Sequence, residues 1–87
     1  MGSLTEEFER ASAAAKNLPE RPDDSTMLQL YALYKQGSVG DVQGSKPGFF
    51  DFVGVAKYEA WEKLSGTGQE EAQQQYVELV RKLGGDC

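Results

Sequence analysis

The segment Met27-Leu-Gln-Leu-Tyr-Ala-Leu-Tyr-Lys-Gln36 determines how the rest of this chain can fold. At about 100° per residue, its apolar side chains occupy roughly two thirds of the helix circumference, which is more than one packing face requires. Lys35 lies among those apolar side chains. The helix is therefore either enclosed on several sides by other helices, or part of its surface is kept for a ligand with apolar and anionic parts.

Helical periodicity continues on both sides of this segment and predicts three further helices. Ser3 and Glu6 form a capping box before the first helix, and Thr67 and Glu70 form another before the fourth. Asp51 is a candidate N-cap for the third helix. The predicted helices span about residues 4–18, 24–37, 52–64 and 68–83.

The connection between the second and third helices is about 14 residues long, over residues 38–51. Connections of this length are uncommon in compact domains and tend to be functional. Val39, Val42, Phe49 and Phe50 are apolar, so we expect them to anchor an ordered loop on the helices. A link this long can cross a bundle, and the spacing alone therefore leaves the pairing of the helices open.

Composition limits the classes of function. The 87 residues suffice for a single domain with a modest core, over residues 1–87. Nine Lys and Arg against 14 Asp and Glu give a net charge of -5, which argues against nucleic-acid binding through a general electrostatic field. Because no apolar run approaches the roughly 20 residues that span a bilayer, we expect a cytoplasmic protein without stable membrane insertion.

The chain offers little material for catalysis. Histidine is absent, and Cys87 is the only cysteine. The commonest general base and metal ligand are therefore missing, and an intrachain disulfide cannot form. The carboxylates show no metal-ligand spacing. We expect no enzymatic activity, no metal and no cofactor.

Several segments, in this order and spacing, together resemble the acyl-CoA-binding protein family. They are Pro22-Asp-Asp24, Leu30-Tyr-Ala-Leu-Tyr-Lys-Gln36, Val39-Gly-Asp41, Lys46-Pro-Gly48 and Ala56-Lys-Tyr-Glu-Ala-Trp61. The resemblance covers the chain from about residue 8 to residue 83. It implies an all-α, up-down-down-up bundle of four helices that binds long-chain acyl-CoA thioesters without catalysis. It also implies a monomeric carrier that meets donor and acceptor enzymes or membranes transiently.

The resemblance implies which side chains form the ligand site. Family positions matching Tyr31, Lys35 and Lys57 hold the adenosine 3'-phosphate region, and other matching positions line the rest of the groove. The complete predicted set is Lys16, Leu28, Tyr31, Ala32, Leu33, Tyr34, Lys35, Lys57 and Tyr76, with Ser12, Met27 and Val53 near it. The resemblance further implies a contact between the first and last helices through Phe8, Ala15, Leu18, Tyr76, Val77, Val80 and Leu83.

The residues themselves support a ligand site on the second helix. Tyr31, Tyr34 and Lys35 stand at i, i+3 and i+4 and share a face. An aromatic ring can stack on adenine there while the ammonium attracts a phosphate. The alternative is that both tyrosines are half-buried and Lys35 extends over them to solvent.

Two further alternatives remain open at this point. The chain could be a helical interaction module whose apolar groove receives a partner peptide. It could also be the acyl-CoA-binding domain of a larger protein.

Val53 and Val55 stand where many family members have lysine, which predicts a less positive rim around the site.

Overall fold

The computed structural model describes residues 3–85, so Cys87 lies outside the described residues. Helix α1 spans Leu4–Ala14 and continues as a 3₁₀ turn, Ala15–Asn17; α2 spans Asp24–Val39, α3 spans Phe52–Glu62, and α4 spans Gln69–Lys82. The prediction that the first helix reaches residue 18 is wrong in detail, because its last turn tightens to 3₁₀ geometry ahead of Pro19. Within the described residues, no helix is long and apolar enough to cross a bilayer.

Acidic and hydroxyl side chains begin the first three helices. Ser3, Asp23 and Asp51 each accept a hydrogen bond from the backbone N–H three residues later. The donor–acceptor distances are 3.2, 2.8 and 3.0 Å. These bonds satisfy N–H groups that have no partner within the helix, so the helix starts are fixed locally.

Helix α4 has glycine at both ends. Gly68 occupies the N-cap position, so Thr67 lies one residue too early and the predicted capping box with Glu70 is wrong. At the other end, Gly84 adopts a φ of 93°, a conformation that favours glycine. The N–H groups of Gly84 and Gly85 donate back to the last turn at 3.0 and 2.9 Å, which forms a Schellman motif.

Helices α2 and α4 are antiparallel neighbours. The side-chain amide of Gln73 donates to the Gly37 carbonyl at 2.9 Å, and that of Gln69 donates to the Ser38 carbonyl at 3.3 Å. Later residues of α2 thus meet earlier residues of α4. The approach requires glycine in α2, since a Cβ on Gly37 would lie 2.9 Å from Gln73 Cγ and 3.0 Å from Phe8 Cζ.

Helices α2 and α3 are parallel neighbours. The ammonium of Lys57 lies over the Tyr31 ring, and one turn later in both helices the ammonium of Lys35 lies over the Trp61 ring. The indole N–H of Trp61, a buried residue, donates to the Gly40 carbonyl at 2.8 Å. This bond fixes the end of α2 against α3.

Helices α1 and α4 are also parallel. The ring centroids of Phe8 and Tyr76 are 5.2 Å apart, and further along both helices Gly84 lies against Pro19. Helix α1 therefore packs on α4, α4 on α2, and α2 on α3. The predicted up-down-down-up bundle is confirmed.

The core lies where α1, α2 and α4 meet. Its buried members are Phe8, Ala11, Leu30, Leu33, Ala72, Tyr76, Val77 and Val80. Partly buried residues that pack against them include Ala15, Leu18 and Leu83. The contact between the first and last helices that the family resemblance implies is thus present.

Polar contacts hold the loop between α2 and α3. Phe49 and Phe50 are 75% and 83% exposed, so the prediction that they anchor the loop is wrong. Instead, Lys46 Nζ lies 2.7 Å from a carboxylate oxygen of Glu59, and the hydroxyl of Tyr58 donates to a loop carbonyl at 3.1 Å. The hydrogen bond to Glu59 raises the pKa of Lys46 above its ordinary value. Two side chains of α3, those of Tyr58 and Glu59, therefore hold the loop where Phe49 and Phe50 were expected to do so.

Gln36 joins this loop to the connection between α3 and α4. Its side chain is fully buried, and Nε2 donates to Asp41 Oδ1 at 2.8 Å and to the Thr67 carbonyl at 2.7 Å. The backbone N–H of Gly66 donates to the same Asp41 oxygen at 2.8 Å. The bond from Gly66, followed by the bond from Gln36, lowers the pKa of Asp41. One carboxylate thus holds two loops together.

Candidate ligand-binding groove

A groove of about 900 Å³ is lined by residues of all four helices and of the segment before α2. A volume of this size is typical of small-molecule sites. The groove exists because α1 packs on α4 and α3 packs on α2, which leaves the space between α1 and α3 open. The predicted residues that line it are Ser12, Lys16, Met27, Leu28, Tyr31, Tyr34, Val53, Lys57 and Tyr76.

The wide apolar surface of α2 is divided between the core and this groove. Leu30 and Leu33 are buried at 7% and 8% exposure, whereas Met27 and Tyr34 are each 41% exposed. Both exposed residues line the groove. The second helix is therefore neither fully enclosed nor simply amphipathic, because it packs on one side and forms a site wall on the other.

Two aromatic rings, those of Tyr34 and Tyr76, line one side of the groove, and the buried Phe8 ring packs against both of them. The Tyr34 ring is stacked on Phe8 with centroids 5.4 Å apart and lies 5.9 Å from the Tyr76 ring. Phe8 and Tyr76 are both buried. Their packing holds the exposed Tyr34 ring in a defined orientation, so this wall presents a rigid surface to a ligand.

Two lysines and two aromatic rings are paired crosswise between α2 and α3. Lys57 Nζ lies 5.2 Å from the centroid of the Tyr31 ring, and Lys35 Nζ lies 5.1 Å from the centroid of the Trp61 ring. Such cation–π contacts restrict where each ammonium lies. Lys57 and Tyr31 line the groove, whereas Lys35 does not. Since Tyr31 and Lys35 are one turn apart, Lys35 lies just beyond the groove. Both pairs lie along the line of contact between α2 and α3, which we call the α2–α3 seam.

Basic residues outnumber acidic ones in the groove. Lys16, Arg21 and Lys57 line it together with a single carboxylate, that of Asp24. The excess is local, because the whole chain has a net charge of -5. An apolar wall with a local positive charge suits an amphipathic ligand that has anionic groups at one end.

Ala32 and Leu33, two members of the predicted ligand set, do not line the groove. They line a second cavity of about 630 Å³ on another side of α2, which residues of α3 and α4 also border. Leu33 also belongs to the buried core. The reason is helical geometry: residues two positions apart point about 200° away from each other, so Tyr31 and Leu33 face opposite sides.

Several residues of the groove lie outside the set predicted from the sequence. Arg21 was the most informative omission, and its signal was a basic side chain immediately before the acidic start of α2. Phe52 and Ala56 were also missed, although they stand one residue before Val53 and Lys57. The further lining residues outside the predicted set are Ala15, Asp24 and Leu30.

Within the described residues, no group of three or more Asp, Glu or Cys side chains is placed to hold a metal ion.

Comparisons with known proteins point to one family. Residues 5–80 match the family model described as acyl CoA binding protein. A Drosophila melanogaster protein named acyl-CoA-binding protein homolog is 49% identical over 80 residues, which are 92% of this chain and 93% of that protein. The Saccharomyces cerevisiae acyl-CoA-binding protein is 46% identical over 76 residues, which are 87% of each chain.

Solved structures give the same result. The crystal structure of Oryza sativa acyl-CoA-binding protein 2 superposes with a TM-score of 0.89 at 40% identity, and the match covers 93% of this chain and 90% of that one. The solution structure of the yeast acyl coenzyme A binding protein superposes with a TM-score of 0.70 at 44% identity, and here 95% of this chain and 93% of that one are covered.

Proposed function

Since this chain belongs to the acyl-CoA-binding protein family, we propose that its groove binds long-chain acyl-CoA thioesters and that the protein carries them. One observation of the structure supports the assignment above all. Lys16, Arg21 and Lys57 lie in the same groove as an extended apolar and aromatic lining. A ligand that uses both parts must join anionic groups to an apolar part, and an acyl-CoA ester does so through its phosphates and its hydrocarbon chain.

The nucleotide end of the ligand binds where α2 and α3 run side by side. The Tyr31 ring offers a face and a hydroxyl, and Lys57 lies 5.2 Å from the centroid of that ring. Lys35 lies one turn further along the seam and extends the positive charge beyond the groove. We assign the adenosine 3'-phosphate region to these three side chains. Lys16 and Arg21 remain available for the other phosphates.

The acyl chain binds the apolar part of the same groove. Met27, Leu28 and Ala56 supply apolar surface there. Burial of each methylene contributes about 0.8 kcal/mol, so about ten buried methylenes contribute roughly 8 kcal/mol before ordering costs are subtracted. Each hydrogen bond to a charged phosphate adds about 1.5–3 kcal/mol. Affinity therefore depends on both ends of the ligand.

The protein acts as a carrier and not as an enzyme. The side chains around the groove can hold an anion, stack on a ring and exclude water, and these roles leave the thioester intact. We propose that the carrier works as a monomer in the cytoplasm and exchanges its ligand with enzymes and membranes. Sequestration would shield the thioester and keep a detergent-like molecule away from bilayers.

Calorimetric titration with palmitoyl-CoA, free CoA and palmitate tests the proposed function. We expect the ester to bind at least about a hundredfold more tightly than either fragment, because each fragment loses one of the two contact regions. Equal affinity for palmitate and palmitoyl-CoA would contradict the proposal. A chain-length series of esters then measures how much of the apolar lining is used.

A further inference from the structure

Four large apolar side chains lie exposed around the start of α3. Phe49, Phe50, Phe52 and Val53 are 75%, 83%, 78% and 65% exposed, and we call them the phenylalanine patch. The ring centroids of Phe49 and Phe50 are 4.2 Å apart, so two of the rings form a cluster. Four such side chains within five residues are more than the singly scattered apolar residues of an ordinary surface, and exposed apolar patches mark interaction sites.

The fold makes little use of these side chains. The loop before α3 is held by Lys46, Tyr58 and Trp61 through polar bonds, and none of these bonds involves the patch. Asp51 lies inside the patch, but its carboxylate accepts the Gly54 N–H at 3.0 Å and is thereby held at the helix start. These bonds hold the loop without the rings, so the rings remain available for contact with a partner outside the bundle.

The patch shares two residues with the lining of the ligand groove. Phe52 and Val53 line the groove together with Lys57, and Phe49 and Phe50 stand two to four residues before them in the chain. Any surface that covers the patch also lies at this end of the groove. An acyl chain could then pass from the groove to that surface without crossing water.

We propose that the phenylalanine patch inserts into the interface of a lipid bilayer while acyl-CoA enters or leaves the groove. The inference rests on the proposed function, because an acyl-CoA ester itself partitions into bilayers through its hydrocarbon chain. Aromatic rings on one face of a protein suit the boundary between headgroups and acyl chains. In the ligand-free protein the cations Lys16, Arg21 and Lys57, which line the groove together with Phe52 and Val53, can attract lipid phosphates instead of ligand phosphates.

The docking is weak and reversible. Within the described residues no helix can span a bilayer, so three rings and one valine provide the apolar contact. The net charge of -5 opposes tight binding to an anionic membrane. A carrier needs such an interaction, since it must leave the membrane after exchange.

The test is transfer of palmitoyl-CoA from the loaded protein to vesicles of phosphatidylcholine, with and without one fifth phosphatidylglycerol. If the protein docks, the transfer rate of the wild type rises with vesicle concentration. In the double variant Phe49→Ser, Phe50→Ser, we expect the increase of the transfer rate per unit of vesicle concentration to be about tenfold smaller. These two residues lie outside the lining of the groove, so the dissociation constant for palmitoyl-CoA should stay within about twofold.

Val39→Ser is the control variant. Val39 is also an exposed apolar residue, at 45%, but it lies at the end of α2 and outside the groove. It should transfer ligand like the wild type. A wild-type rate that is independent of vesicle concentration, or an unchanged rate in the double variant, would overturn the proposal.

Two measurements separate this proposal from its rivals. Flotation of ligand-free protein with the same vesicles reports docking even if palmitoyl-CoA does not bind, so failure of the proposed function is recognised separately. We expect several-fold more wild type than double variant in the floating fraction. Light scattering that shows a dimer of the wild type and a monomer of the double variant would assign the patch to self-association and overturn membrane docking.

Discussion

Replacement of Lys57 by methionine removes an ammonium from the groove and keeps most of the side-chain length. Lys57 is exposed and lies over the Tyr31 ring at 5.2 Å from its centroid. In the unliganded protein the change removes one exposed cation–π contact, which is worth about 0.5–1 kcal/mol. The fold should therefore remain intact with slightly lower stability.

The effect on ligand binding should be larger. A hydrogen bond to a charged phosphate contributes about 1.5–3 kcal/mol, and about 1.4 kcal/mol corresponds to a tenfold change in affinity. The dissociation constant for palmitoyl-CoA should rise roughly tenfold to a hundredfold. The affinity for palmitate should not change, because the fatty acid lacks the nucleotide.

Calorimetry at two salt concentrations measures this effect. Higher salt should weaken the binding of palmitoyl-CoA more in the wild type than in Lys57→Met, since salt screens the charge that the variant lacks. Lys82→Met is the matched control, because Lys82 is an exposed lysine at the end of α4 and outside the groove. The same titration on Lys35→Ala tests whether the seam between α2 and α3 extends the site, and we expect at least a tenfold loss.

An unchanged dissociation constant in Lys57→Met would refute the assignment of Lys57 to the phosphate region. A loss equal to that of Lys82→Met would refute it as well, because the effect would then come from net charge alone. A tenfold loss for palmitate would show that the substitution alters the apolar groove instead.

Two further predictions concern stability. Val80→Ala removes two methyl groups from a side chain that is 0% exposed, so chemical denaturation should show that the free energy of unfolding falls by about 2 kcal/mol. Val39→Ala is the control, because Val39 is 45% exposed and its replacement should lower the free energy of unfolding by less than about 0.5 kcal/mol. Equal losses would contradict the assigned core. Hydrogen bonds from Gly66 and Gln36 lower the pKa of Asp41 in the folded protein. Their contribution to the free energy of unfolding is therefore fully present above the ordinary carboxyl pKa of 3.8, and it is lost as the pH falls through the lowered pKa. When the free energy of unfolding is measured from about pH 6 to pH 2.5, it should fall less steeply with decreasing pH in Asp41→Asn than in the wild type. Equal slopes in the two proteins would contradict the role of this carboxylate.

The helices and much of the site follow from local sequence. The caps at Ser3, Asp23 and Asp51 act over three residues, so their positions are visible in the sequence. The shared face of Tyr31 and Lys35 is equally local, because it follows from the helical repeat. Local rules also failed at two boundaries, the end of the first helix and the start of α4, where Gly68 and not Thr67 became the N-cap.

The remaining features depend on how the helices cross. The sequence could not show that Arg21 reaches the groove, because that requires the link before α2 to lie beside α1 and α3. Helical periodicity alone left open that Leu33 belongs to the buried core while Tyr34 lines the groove, since an apolar arc of two thirds of a helix does not state which part is covered.

The exposure of Phe49 and Phe50 was hidden for the same reason. Hydrophobicity predicts burial only on average, and here polar bonds from Lys46 and Tyr58 hold the loop first. The sequence by itself determined the helices and the chemistry that they present. Only the tertiary structure decided which surfaces face the core, the groove or the solvent, because that choice depends on contacts between residues far apart in the chain.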